Sequence, residues 1–241
     1  MSSIKTLFLK IFIPLFLFFF LGYFSNQLLF SKYSEQDIYN YLENNPDKLN
    51  QFIDKAISIN DYIEKERLKE LIYENKDDLE KNKFYLGNPN GKKIIFEFFD
   101  YNCGYCKNIF SDLMDLVSED TDLKIILIEL PVLGESSILA SKAAMSANIQ
   151  NKYFEMHQKL IGHKGRINLD TIEVYAEEIG LNVKKLMNDI NEIDIKYIEK
   201  NYALADKLDI NGTPTFLVGN EIIPGAISKS LMKELIISAY N

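Results

Sequence analysis

Apolar and polar positions divide the chain into three stretches of different period. In the first, residues 1–33, Lys5 and Lys10 precede fourteen residues without a charge, 11–24, and Leu28 to Phe30 prolong the apolar segment past Ser25, Asn26 and Gln27. In the second, 34–82, Leu49, Phe52, Ile53, Ala56, Ile57, Ile63, Leu71 and Ile72 recur at broadly helical spacing, a stripe that serves equally to pack on the chain's own domain or to pair with copies of itself. A short helix over 35–43 precedes them and is stopped by Asn44-Asn45-Pro46; Pro46 suits the first turn of the longer helix, with Asn45 as its cap. The third stretch, 83–241, changes between continuous apolar runs and helical periods. Residues 84–86, the turn Gly87-Asn88-Pro89-Asn90-Gly91 and residues 94–99 read as strand, turn and strand, 107–117 as a helix, and 123–130 as a strand closed by Pro131. Helices then follow without strands: 136–147, 153–161, 171–179 with Asp170 and Glu173 as a capping box and Gly180 beyond its end, 183–190 and 193–208. Strands return at 215–218 and 221–223, and a helix over 229–240, capped by Ser228, closes the chain. The pattern is that of an α/β body interrupted by a helical insertion at about 132–208.

Charge sharpens this picture. Three lysines (Lys5, Lys10, Lys32) precede the first acid, Glu35, so the remainder carries 24 basic against 35 acidic residues, a net −11. With no basic stripe and only two arginines, Arg67 and Arg166, the chain offers little for phosphate recognition, and a nucleic-acid partner is excluded. A basic start followed by an apolar run is an export signal. No small-x-small pair follows it, because Phe20 stands before Gly22 and Tyr23 before Ser25, which favours an uncleaved membrane anchor over a cleaved signal peptide. The excess of lysine before the span places everything after Lys32 outside the inner membrane, in the oxidising periplasm. The alternative is a soluble protein secreted after cleavage.

The candidate chemistry is Cys103-Gly104-Tyr105-Cys106, which holds the chain's only two cysteines and opens a predicted helix. A sulfur at a helix N-terminus faces unpaired N–H groups, which stabilise its thiolate. A thiol of pKa near 8.5 is only about 3% ionised at pH 7, whereas one lowered to about 6 is roughly 90% ionised and becomes both nucleophile and leaving group. A zinc site would have to recruit His157 and His163 from another element, at a spacing foreign to such sites. A c-type haem needs a histidine where Lys107 stands, and a purely structural disulfide across so short a loop would constrain the unfolded chain little. No metal and no separate cofactor are expected; the redox group is the Cys103–Cys106 pair itself.

Glu97 is an acid inside an apolar run, six residues before Cys103. A solvent-facing edge position is one reading. The other is a buried carboxyl of raised pKa that takes the proton of Cys106. His157 and His163 read as surface or packing residues. Pro214, at the start of a strand, is an edge or turn device, or a cis peptide held against the site.

A strand ending in FEFFDYNCGYC, a helical insertion, then GTPTFLVGN followed by EIIPGAIS closely resembles the DsbA-like branch of the thioredoxin superfamily, over about residues 84–241. The resemblance implies a thioredoxin fold over 83–241 with Cys103 as attacking and Cys106 as resolving cysteine, Glu97 as buried proton acceptor, and Thr213-Pro214 as a cis-proline loop whose backbone pairs with an extended substrate. Residues 34–82 look like the arm of the ScsC-like group (suppressor of copper sensitivity), which implies a homo-oligomer formed through 35–82. Strong DsbA-type oxidases carry a positively chargeable histidine between their cysteines; Gly104-Tyr105 has none, so the reduced pair is expected to be less favoured here. Gly-Tyr, and threonine before the proline, resemble DsbC-type isomerases. The expected partners are unfolded or misoxidised exported proteins and a membrane thiol–disulfide redox protein. Isomerase or reductase is preferred over DsbA-type oxidase, with a client-holding chaperone as the reading from another class.

Overall fold

The computed structural model describes residues 34–240, so the segment expected to act as signal or anchor, 1–33, lies outside them. Among the described residues no helix is long and apolar enough to cross a membrane. The chain forms two compact units, one up to Tyr62 and one from Ile63 onward.

In the first unit, Ser34 caps α1 (Glu35–Asn44) by accepting from the Asp37 N–H, while the Asp37 carboxylate accepts from the Ser34 N–H at 2.7 Å. Two helix-end donors are thereby satisfied reciprocally. Pro46 then opens α2 (Pro46–Glu74), where its missing N–H has no helical partner to lose. Phe52, Ile53 and Ile57 on this helix are exposed.

The second unit takes in the last turns of α2, because Leu71 and Ile72 pack with the fully buried Leu79 of α3 (Lys76–Glu80) on the sheet. It therefore starts at Ile63, ahead of position 83. Next come β1 (Tyr85–Gly87), β2 (Lys93–Phe99), α4 (Gly104–Glu119) and β3 (Leu123–Glu129). Five helices follow without a strand: α5 (Glu135–Asn148), α6 (Tyr153–Ile161), α7 (Leu169–Glu178), α8 (Val183–Glu192) and α9 (Lys196–Lys207). The hairpin β4 (Thr215–Val218) and β5 (Glu221–Pro224) precedes α10 (Lys229–Tyr240). The sheet order is β1-β3-β2-β4-β5, with β2 parallel to β3 and the other neighbours antiparallel.

Side chains alternate across this sheet. Ile95, Phe99, Ile125 and Leu127 join the core beneath α4, whereas Phe96, Phe98, Ile126 and Ile128 pack on the other face with Leu79 and Leu204. Both faces being covered explains why the strands read as unbroken apolar runs. The turn into β2 depends on Gly87 (φ +82°), where a Cβ would lie 2.5 Å from the Leu123 carbonyl oxygen. On α4, Cys106, Ile109, Leu113 and Leu116 recur at steps of three and four and are buried. Leu113→Ala would cost about 2–5 kcal/mol through the cavity it leaves.

Several boundaries differ from the sequence reading by one to three residues, and two of these differences, at helix starts, change what lies in a first turn. The site helix begins at Gly104 rather than 107, so the CxxC segment lies inside its first turn. The cap of α7 is Asn168, whose side chain accepts from the Thr171 N–H at 2.9 Å, and not an Asp170/Glu173 box; the helix starts a residue before Asp170, which leaves that acid in the first turn.

Candidate active site

Cys103 is the N-cap residue of α4, extended at φ −73° and ψ 116°. Its N–H bonds the Asp100 carbonyl and its carbonyl accepts from the Lys107 N–H, which fixes the sulfur at the mouth of the helix. The preceding turn is pinned by a buried carboxylate: Asp100 accepts from the Asn102 N–H and the Ser137 hydroxyl, both at 2.7 Å, and from the Leu133 N–H at 2.9 Å. Both cysteines are free thiols, 6% and 1% exposed respectively, and Tyr105 between them is exposed.

The loop before β4 reaches the same sulfur. Thr213–Pro214 is a cis peptide, and the Cys103 thiol donates to the Thr213 carbonyl at 3.1 Å. The loop is held by the Thr215 hydroxyl on the Gly212 carbonyl and the Gly225 N–H on the Pro214 carbonyl, each at 2.8 Å. Glu97 stands on the core face of β2, paired with Phe216 of β4, and is 4% exposed. The structure thus brings Cys103, Cys106, Gly104, Tyr105, Thr213 and Pro214 into one place, with Glu97 beneath them in the core.

The two sulfurs are electrically unequal. The Cys103 thiol is lowered to about 5, first by the Cys106 thiol donating to it, with the Cys106 and Tyr105 backbone N–H groups and the Thr213 side chain adding to the effect against the opposing cost of burial. Donors from the Gly104–Cys106 turn therefore stabilise the thiolate without any histidine in the dipeptide. Burial pushes the Cys106 thiol up, and its bond to Cys103 and the nearby Glu97 charge push the same way. Glu97 is raised to about 8, by burial first and by the Cys103 charge second.

A second buried polar cluster went unread in the sequence. Glu129, at the end of β3, is fully buried and accepts from the Tyr153 hydroxyl at 2.9 Å. The Tyr153 ring stacks on His157, whose Nδ1 lies 3.0 Å from the Tyr101 hydroxyl. Burial raises Glu129 to about 8 and lowers His157 to about 3, so both groups are neutral at pH 7. The other oxygen of Glu129 and Nε2 of His157 have no protein partner. One hint was present in the sequence, an acid between Ile128 and Leu130. His157 is the packing residue expected of it, ringed by Phe99, Phe110 and Tyr153. His163 is half-buried and bonds the Tyr175 hydroxyl at 2.8 Å. Among the described residues no three His, Cys, Asp or Glu side chains converge to hold a metal ion.

A dithiol at a helix mouth, opposed by a cis-proline loop on a five-stranded sheet, invites comparison with known proteins, and the thioredoxin family model matches residues 79–237. The chain belongs to the thioredoxin family. Within it the chain is DsbA-like. A thioredoxin-like oxidoreductase from Silicibacter pomeroyi DSS-3 is 36% identical, with a TM-score of 0.63 over 66% of this chain and 92% of that one. The thiol-disulfide exchange protein α-DsbA2 from Wolbachia pipientis is 27% identical, with a TM-score of 0.68 over 73% and 97%. ScsC from Proteus mirabilis, in a transitional conformation, is 26% identical, with a TM-score of 0.65 over 84% of this chain and 93% of that one. Among curated sequences, Na(+)/H(+) antiporter NhaA 1 from Salinispora arenicola (strain CNS-205) is 24% identical over 149 residues, and the chain spans 23% of that protein's length. The thioredoxin domain of this chain is a thiol–disulfide oxidoreductase domain.

Proposed function

We propose that this protein exchanges disulfides in exported proteins on the periplasmic side of the inner membrane, chiefly as an isomerase or reductase. The observation that carries the reading is the inequality of the two sulfurs: Cys103 lowered to about 5 at the helix mouth, Cys106 raised and buried behind it. At neutral pH Cys103 is a thiolate, and a stabilised thiolate keeps the pair in the reduced state that an isomerase must present.

The cycle balances as follows. Cys103 thiolate attacks one sulfur of a wrong client disulfide, forming a mixed disulfide and releasing a client thiolate. Another client thiolate then attacks the client sulfur of that bond and frees Cys103, so the client is rearranged with no net oxidation. Where this stalls, Cys106 gives its proton to Glu97 and attacks Cys103, which releases the client reduced and leaves the Cys103–Cys106 disulfide. A membrane thiol–disulfide partner would then supply two electrons to restore the dithiol. The Thr213-Pro214 loop offers its backbone to an extended client strand beside the sulfur. Residues 1–33 would tether the body, and 35–82 would join copies of the chain; the exposed Phe52, Ile53 and Ile57 and the breadth of the ScsC match support the latter.

A DsbA-type oxidase is the second reading, favoured by the same lowered Cys103, since a stabilised dithiol makes the disulfide form a better oxidant. Trapping the redox state in cells separates the two: mostly reduced cysteines support the isomerase, mostly disulfide supports the oxidase. Cys103→Ala tests the chemistry itself. Loss of insulin reduction and of scrambled-substrate refolding is expected, and retention of both would leave only a client-holding role.

A further inference from the structure

The site has a charged flank that the exchange chemistry does not use. A groove of about 750 Å³ opens at Gly104, the residue after the reactive sulfur, and three cations line it, Lys107, Lys164 and Arg166, without a single Asp or Glu. This is unusual ground on a body with a net −11. Some lysines elsewhere are matched: Lys229 lies 2.9 Å from Asp115 and 2.7 Å from Glu119, and Lys159 lies 2.7 Å from Glu178. Among the described residues none of the groove's three cations is in an ion pair with a carboxylate.

The groove is also held in shape. Lys107 Nζ donates to the carbonyls of His163 at 2.6 Å and Gly165 at 3.4 Å, which ties the loop carrying Lys164 and Arg166 to α4. His163 is tied in turn to the Tyr175 hydroxyl at 2.8 Å, and Gly165 supplies the φ of +102° that the bend requires. Asp100, the carboxylate whose charge acts on Lys107, is buried, and its oxygens accept from the Asn102 and Leu133 N–H groups and the Ser137 hydroxyl. No Asp or Glu lines the groove beside the exposed Lys164 and Arg166. Lys107 lies about one helical turn from Cys103, roughly 6 Å along the axis, and it lines the same groove as Gly104, the residue next to the sulfur.

We infer that this groove selects clients, taking an extended polypeptide segment with Asp or Glu within about three residues of the cysteine under attack and disfavouring segments with Lys or Arg there. The inference rests on the exchange reading above and names the substrate class for the same site. Unpaired cations at a preformed groove raise the capture rate of anionic segments more than they strengthen the final complex, and the effect is screened by salt.

The test uses the full chain and three disulfide peptides that differ only in the residues flanking the cysteine: Glu, Gln or Lys. At low salt the Glu peptide should be exchanged about tenfold faster than the Lys peptide, with Gln between, and the spread should shrink as salt shortens the Debye length from about 30 Å at 0.01 M to about 8 Å at 0.15 M. The double change K164E/R166E should invert the order. Equal rates for all three peptides on the unaltered chain, a spread insensitive to salt, or an acid preference that survives the double change would each overturn the inference while leaving the exchange reading standing. No exchange with any peptide would remove both.

Discussion

The Cys103 sulfur lies 3.1 Å from the Thr213 carbonyl oxygen, across 110 positions of chain. As a thiol it donates to that oxygen. As a thiolate it no longer can, and it draws instead on the Cys106 thiol and the N–H groups of the first turn of α4. Ionisation thereby frees a backbone acceptor beside the nucleophile, at the place where a client strand would seek one.

The first prediction concerns that thiolate. Absorbance at 240 nm should show Cys103 titrating near pH 5 in the reduced protein. Cys106→Ala removes the donor with the largest influence, and the midpoint should move upward by about one unit or more. Because the folded value lies below that of the unfolded chain, ionisation of Cys103 adds stability to the reduced fold progressively as pH rises from 5 toward 9, and that contribution is lost as pH falls through 5. A titration like that of an unstructured peptide would contradict the proposed chemistry.

Glu97 is predicted to act after the first attack. Its raised value owes part to the Cys103 charge, so formation of the mixed disulfide, which removes that charge, lowers the Glu97 value and leaves more of it ionised and free to take the Cys106 proton. Glu97→Gln should leave formation of the mixed disulfide nearly unchanged and slow its resolution by about 10²-fold, the usual scale for a positioned base. Resolution by the unaltered protein should rise with pH toward 8, and the variant should lack that rise. Equal slowing of both steps in rapid-quench experiments would show Glu97 to be merely structural.

Glu129 gives a stability prediction of definite sign. Its folded value of about 8 exceeds the ordinary 4.5, so its contribution to stability is fully present below pH 4.5 and is lost as pH rises through 8. Glu129→Gln keeps the neutral form at all pH. Between pH 4.5 and 7 the unaltered protein should lose roughly 3 kcal/mol relative to the variant, read from urea midpoints at the two pH values. Parallel pH profiles would mean that Glu129 titrates normally and that its buried oxygen finds a partner.

How much of this was legible in the sequence follows from how local each feature is. The dithiol and its helix are contiguous, and Glu97 stood out as an acid in an apolar run, so their positions could be read directly. The order β1-β3-β2-β4-β5 and the cis peptide were legible only through family resemblance, since neither leaves a periodic trace. The buried cluster of Glu129, Tyr153, Tyr101 and His157 was not legible, because it draws on β3, α6 and the turn after β2, and only their packing brings them together. The cations beside Gly104 were hidden for the same reason: Lys164 and Arg166 lie in a polar loop that looked like any other until Lys107 was seen to hold it. Absence of a histidine in the CxxC pointed to a less favoured reduced pair, and the helix N–H groups were read from position; what spacing alone did not show is the Cys106 thiol donating to Cys103.

The last prediction separates the two roles that α2 combines. Up to Tyr62 it belongs to the first unit and exposes Phe52, Ile53 and Ile57; beyond Ile63 it contributes Leu71 and Ile72 to the sheet domain alongside Leu79. Removing residues 34–62 should abolish self-association and leave the fold intact, so that light scattering gives an oligomer for 34–241 and a monomer for 63–241. Removing residues 34–82 should also destabilise what remains, because loss of the fully buried Leu79 alone is worth about 2–5 kcal/mol. Phe52→Glu with Ile57→Glu in the full chain provides the control, since charges on an exposed apolar stripe should dissociate an oligomer built on it and cost a monomer almost nothing. The same number of chains per particle in 34–241, in 63–241 and in the double variant would rule out an oligomerising role for the arm.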